Sequence, residues 1–124
     1  MDLLTLVKAQ VEHRVRQAEE TLGRKFRRPR VVLDIRDGAG LAGQCNHKQA
    51  ILRFNQFYLR QELRDMIDDT IPHEVAHWID WELNHKHGHG DTWRAIMLAV
   101  YGLKPTRCHS YQRAKKVRNL DDLL

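Results

Sequence analysis

Leu4, Val7, Val11, Val15, Ala18 and Leu22 recur at steps of three and four, with polar residues between them. That spacing puts all six side chains on one stripe of a helix, predicted over about Asp2 to Leu22 with Gly23 as its stop. The period then changes. "VVLDI" (Val31 to Ile35) is short and β-branched and reads as a strand, and "DGAG" (Asp37 to Gly40) reads as a turn. "LAGQC" and "QAILRF" (Gln49 to Phe54) predict two more strands around a turn at Asn46 to Lys48, with Asn55 closing a small three-stranded sheet expected to be antiparallel. Helical periodicity returns near Leu59 and runs to about Leu83, with Ile71, Val75, Ala76 and Ile79 on the core side. Pro72 falls inside this run. It lacks an amide hydrogen and crowds the carbonyl four residues back, so either a new helix starts near Thr70 or one longer helix kinks, and the kinked helix is the expectation. "NHKHGHG" interrupts it, and a last helix is predicted from an Asp91 N-cap to a stop at Gly102. A leading helix, a small sheet and two further helical regions make an α+β layout.

The chain has 124 residues, which favours one domain over residues 1–124 with a basic C-terminal tail at about 104–124. Its two cysteines, Cys45 and Cys108, exclude a four-cysteine zinc ribbon within this sequence and give no disulfide scaffold. No stretch approaches the roughly 18 unbroken apolar residues of a membrane span, so the expected setting is cytoplasmic, or nuclear in a eukaryote, without a membrane partner. The net charge of +5 is unevenly spread. "RKFRRPR" (Arg24 to Arg30) and "KPTRCHSYQRAKKVR" (Lys104 to Arg118) contain no acid, whereas Glu62 to Glu82 holds seven carboxylates against the single cation Arg64. Arg24, Lys25, Arg27, Arg28, Lys115, Lys116 and Arg118 are therefore candidate phosphate contacts, set against the plainer reading of a solvated basic surface.

Chemistry concentrates in "PHEVAHW", Pro72 to Trp78. Residues four apart share a helix face, so His73 and His77 can offer two imidazole nitrogens to one cation, with the Glu74 carboxylate one step round the helix as a general base. Against this stands the reading that they are ordinary helix histidines in a chain with eight. Two ligands are too few. No glutamate follows Glu82, and the later carboxylates are Asp91, Asp121 and Asp122. The loop supplies His85, His87 and His89 instead. Gly88 and Gly90 tolerate backbone conformations closed to other residues, which favours His89, then His87, then His85 as the third ligand. Trp78, Trp81, Trp93 and Tyr101 are expected to pack rather than bind substrate.

The stretch "IPHEVAHWIDWELNHKHGHGDTWRAIMLAVYGLKPTRCHSY" resembles the SprT-like zinc metallopeptidases, whose eukaryotic relative Spartan cleaves proteins crosslinked to DNA. Members pair HExxH with a later HGxxF or HGxxW element, here "HGDTW", which implies His89 as the third ligand of a single Zn²⁺. "GAGLAGQCNHKQAILRFNQFYL" resembles the family's Gly-containing strand and the strand after it, and "PTRCHSY" its Pro-x-Arg-x-His-x-aromatic signature. The resemblance covers about Val31 to Tyr111. It implies a zincin-like fold and peptide hydrolysis by zinc-activated water with Glu74 as base, acting on DNA-associated or DNA-crosslinked proteins, with DNA and a protein substrate as partners. Among the oxyanion or substrate contacts open to it (His109, Tyr111, Tyr101 and Arg94), the signature favours His109 and Tyr111. The chain departs from many bacterial members in lacking their cysteine-rich ribbon, whose contribution is then absent, taken by the basic tail, or brought by a partner. The alternative is a non-catalytic zinc- and DNA-binding domain or decoy, and the intact Glu74 weighs against it.

Overall fold

The computed structural model describes residues 1–105. The leading apolar stripe forms α1 (Leu3–Leu22), which buries Val7, Val11, Val15 and Ala18. Both ends are chemically marked: the Asp2 side chain accepts from the Thr5 amide, and Gly23 closes the helix with φ of 71°, a left-handed value that costs glycine nothing. Glu19 is also buried on this helix, because it has work on the far side of the turn. It accepts from the Phe26 amide at 2.9 Å and from Arg28 Nη1 at 2.7 Å, while Arg28 also grips Glu12. One guanidinium thus staples two turns of α1 to the segment that enters the sheet.

Three strands follow: β1 (Arg30–Ile35), β2 (Gly43–Asn46) and β3 (Ile51–Asn55). Their spatial order is β1-β3-β2. β2 and β3 form the expected antiparallel hairpin, with Gly43 opposite Phe54 and Asn46 opposite Ile51. β1 pairs with β3 in parallel, from Arg30 beside Ile51 to Ile35 beside Asn55, so the sheet is mixed and not wholly antiparallel. Side-chain alternation specifies which face of a strand is buried but not which neighbour it takes, and here the chain crosses over before making the hairpin. Asn55 holds that crossing. Fully buried, it donates to the carbonyls of Asp37 and Leu41, and its own amide donates to Ala42. Central β3 accordingly buries four of its five residues.

Asn55 also caps α2 (Gln56–Gln61) through the Phe57 amide, so helix begins three residues earlier than the periodicity suggested. After a break at Glu62, a short α3 (Leu63–Asp65), a π-turn (Met66–Thr70) and α4 (Ile71–Asn84) run on with helical backbone angles at the junctions. The backbone stays helical from Leu63 to Asn84, in keeping with the longer helix, but it breaks at Glu62 instead of starting near Leu59. Pro72 falls in the first turn of α4, where a helix starting near Thr70 would place it, and the π-turn shows how the proline is accommodated. The Ile71 amide reaches back five residues to Met66, widening the turn just where a proline ring would strike an α-helical carbonyl. Ile71, Val75, Ala76, Trp78 and Ile79 then pack fully buried against α1, β2 and the last helix, α5 (Asp91–Tyr101). Gly90 rather than Asp91 caps α5, and Gly102 ends it with φ of 63°. Among the described residues no helix is long and apolar enough to cross a membrane.

Arg28 and the buried Phe26 amide hold the Glu19 carboxyl down from its ordinary 4.5 to about 2. A depressed folded-state value adds stability that is complete above the unfolded value and disappears as pH falls through the folded one, so this contribution should fade between pH 4.5 and about 2. At neutral pH, urea denaturation should find Glu19→Ala destabilised by about 1–3 kcal/mol, because the Phe26 N–H loses its acceptor. Glu12→Ala, at a solvated pair, should cost less than about 1 kcal/mol.

Candidate metal centre

α4 presents His73 and His77 one turn apart, and the loop after it brings His89 over them. The three Nε2 atoms form a nearly equilateral triangle, with His73 to His89 at 3.1 Å and His77 to each of the other two at 3.2 Å. The rings are splayed by 62–71° with centroids 4.7–5.1 Å apart, so they meet edge to edge at their tips rather than stacking. Tetrahedral ligands about 2.0–2.1 Å from one Zn²⁺ would lie about 3.3 Å apart. Three imidazole nitrogens crowded to nearly that spacing fit a single cation of the kind histidine favours, and they could hold a metal ion.

Trp93 explains why the rings stand this way. Fully buried in the first turn of α5, it stacks on His77 with planes 15° apart and lies against His73 and His89 at 4.8 and 4.7 Å. Its indole N–H donates to the His73 carbonyl at 3.3 Å. One side chain thus backs all three rings, and the four-residue step from His89 in the loop to Trp93 in the first turn of α5 brings ring and wedge together. Trp78 packs too, donating to the Arg27 carbonyl with the Arg27 guanidinium over its face.

The histidines form the floor of a pocket of about 370 Å³ whose opposite wall is β2. Glu74 lines it, only 5% exposed. A Cβ on Gly43 would stand 3.0 Å from Glu74 Cγ and 3.1 Å from Thr70 Cγ2, so glycine lets β2 lie directly on α4 and leaves Glu74 little room to swing away. Cys45, two residues along the same strand face, also lines the pocket. Burial, with the Glu74 charge adding to it, pushes its thiol up to about 12, so it stays a neutral thiol. Sequence reasoning passed over Gly43, Cys45 and His47 as pocket residues; strand alternation pairs Gly43 with Cys45, but only the packing of β2 on α4 shows what they face.

The other sequence candidates fall elsewhere. His85 ends α4 in a left-handed conformation, φ 55°, with its ring edge-on to Trp81, and His87 lies beside His47. Neither joins the triangle. The Tyr101 hydroxyl donates to the Arg14 carbonyl at 2.7 Å, in the packing between α5 and α1, and Arg94 is exposed outside the pocket. His109 and Tyr111 lie outside the described residues, as do Lys115, Lys116 and Arg118 and most of the tail. Of the first basic cluster, Arg27 pairs with Glu82 at 2.9 Å and Arg28 with Glu12 and Glu19, whereas Lys25 reaches only to 4.0 Å of Glu19 and Arg24 lies over Phe26.

A helix-borne histidine pair completed by a histidine from the next loop, on an α+β frame, makes a site that could hold a metal ion. The chain belongs to the SprT-like family, a metalloprotease-like family whose pattern matches residues 11–109. It is similar to Protein SprT of Pseudomonas putida strain W619 and of Pseudomonas entomophila strain L48, each 37% identical over 114 residues that make up 90% of this chain and 68% of the relative. Protein SprT of Pseudomonas aeruginosa strain LESB58 is 39% identical over 105 residues, 83% of this chain and 62% of the relative. The chain thus spans about two thirds of the length of these relatives. No solved structure matches it significantly.

A metal that binds only the folded chain must stabilise it. At about 1,000 times its dissociation constant Zn²⁺ should add roughly 4 kcal/mol, or about 10–20 °C in Tm for a domain of this size, read by differential scanning calorimetry. His77→Ala and His89→Ala should lose most of that shift and His85→Ala should keep it.

Proposed function

We propose that this chain is a zinc-dependent peptidase whose centre is the His73, His77 and His89 triangle, with Glu74 as general base. The observation that carries the reading is the convergence of three Nε2 atoms within 3.2 Å in the pocket that Glu74 lines. Those three residues would hold one Zn²⁺, which when bound supplies a Lewis acid and acidifies water towards a pKa of about 7. Glu74 takes the proton from the attacking water on its carboxylate and hands it to the departing amide nitrogen, the double duty expected of a positioned acid–base group. β2 holds that carboxylate in place, since α4 fixes its Cα and Gly43 abuts its Cγ. Trp93 excludes water from behind the histidine rings.

Proteins associated with or crosslinked to DNA are the substrate class this reading favours. Its support is the segregation of charge along the chain, which leaves Arg24 without an ion pair among the described residues and Lys25 with only a 4.0 Å approach to Glu19, and gathers Lys115, Lys116 and Arg118 in the tail. Phosphate contact of that kind weakens steeply with added salt. Replacing Lys115, Lys116 and Arg118 together should flatten the slope of log affinity for single-stranded DNA against log salt, and an unchanged slope would move the contact to the Arg24 to Arg30 cluster.

The catalytic assignment has its own test. Glu74→Gln should keep its zinc, measured by atomic absorption, while casein cleavage drops by about 10²–10⁴-fold. A glutamine variant that cleaves at the wild-type rate would remove Glu74 from the base role. Wild-type protein that binds zinc and cleaves neither casein nor a DNA-bound protein would favour the non-catalytic reading.

A further inference from the structure

His85, His87 and His89 alternate along the loop between α4 and α5, and each rests on a different part of the molecule. The His85 ring meets the Trp81 indole edge-on at 5.5 Å, His87 lies nearly parallel to His47 at 5.5 Å and 15°, and His89 joins the metal triangle. His47 is the shared element. It also stacks on the Trp81 indole at 3.9 Å with planes 27° apart, so one ring touches both Trp81 and His87, and His47 and His87 line the pocket.

Two of these rings sit on regular, hydrogen-bonded structure. Trp81 sits on α4, the helix that carries His73 and His77. His47 begins the turn between β2 and β3, which is tied by the Asn46 side chain to both the amide and the side chain of Gln49, by the Ala50 amide to the His47 carbonyl, and by the Ala50 carbonyl to the Arg30 amide of β1. The third, His87, is carried by the loop. It leaves α4 through a left-handed His85, φ 55°, and turns again at Gly88, φ 93°. Burial, with His87 and Lys48 nearby, holds the His47 imidazole below its ordinary value, which suits a ring that stacks rather than repels its neighbour.

We propose that His47 is a positioning residue for the metal centre: in ring contact with both the Trp81 indole and the His87 imidazole, it ties the loop bearing His89 to the sheet side of the pocket and keeps the third nitrogen on its triangle. Nothing in the motif or in the ligand set requires this residue. The inference rests on the metal centre proposed above but not on peptide cleavage, so its readouts avoid activity.

Zinc-loaded full-length protein is mixed with excess chromogenic chelator, and the rate of Zn²⁺ transfer is followed. His47→Ala should release zinc about tenfold faster than wild type, in the range that loss of a residue supporting a metal ligand produces. His47→Phe, which keeps a flat ring against the same partners, should come within about twofold of wild type. His87→Ala removes the contact from the loop side and should match His47→Ala, and the double variant should be no faster than either single one. In metal-free protein, amide hydrogen exchange over residues 85–90 should quicken in His47→Ala while the amides of α1 keep wild-type protection, which reports a loosened loop on an intact fold. Wild-type release from His47→Ala would overturn the proposal. So would a His47→Phe variant that releases as fast as His47→Ala, or single variants whose effects simply add. If zinc release follows this pattern while casein stays uncut, peptide hydrolysis fails and the positioning role stands.

Discussion

Everything at the functional end of this molecule depends on crowding three imidazole nitrogens into one point. Neutral rings gain little from such an approach, and aligned nitrogens without a cation between them are poor neighbours. The fold imposes the arrangement from behind. Trp93 touches all three rings and ties itself to the His73 carbonyl, and α4 sets two of the ligands by helical geometry alone. The site is therefore largely set by packing, and the hydrophobic core has already placed three nitrogens that could hold a metal ion.

The surroundings serve the same constraint. α4 must stay straight across His73 to His77 even though Pro72 precedes them, and the π-turn absorbs the proline before the ligands begin. β2 must lie against α4 closely enough to wall the pocket, and Gly43 permits it. Glu19 and Arg28 fasten α1 to the approach of β1, and α1 in turn supports the buried face of α4. Polar groups placed inside the fold fasten its parts: Asn55 ties the end of β3 to the carbonyls of Asp37 and Leu41, and Glu19 ties α1 to the segment that enters β1.

Much of this was legible beforehand. The valine stripe of α1, the glycine stops at Gly23 and Gly102 and the hairpin about Asn46 to Lys48 all follow from period and turn chemistry that act within a few residues. The strand order was not, because a sequence pattern records which face of β1 is buried and leaves its neighbour open; the crossing held by Asn55 is a tertiary fact. The HExxH spacing singled out His73, Glu74 and His77, whereas three loop histidines competed for the next place on local grounds. What separates them is which partner each ring meets, and those partners, Trp81, His47 and Trp93, lie 4 to 40 residues away in the chain. Likewise the "RKFRRPR" cluster reads as one cationic patch, yet Arg27 and Arg28 are engaged with Glu82, Glu12 and Glu19, acids that lie outside it.

The most direct test of the metal centre is X-ray absorption at the zinc edge of the reconstituted protein. Three histidine nitrogens plus one further light-atom ligand, all at about 2.0–2.1 Å and with no sulfur, is the first shell this arrangement requires. A sulfur scatterer near 2.3 Å would place Cys45 or another thiol on the metal and contradict the triangle. A shell with only two imidazole contributions would remove His89 from the site.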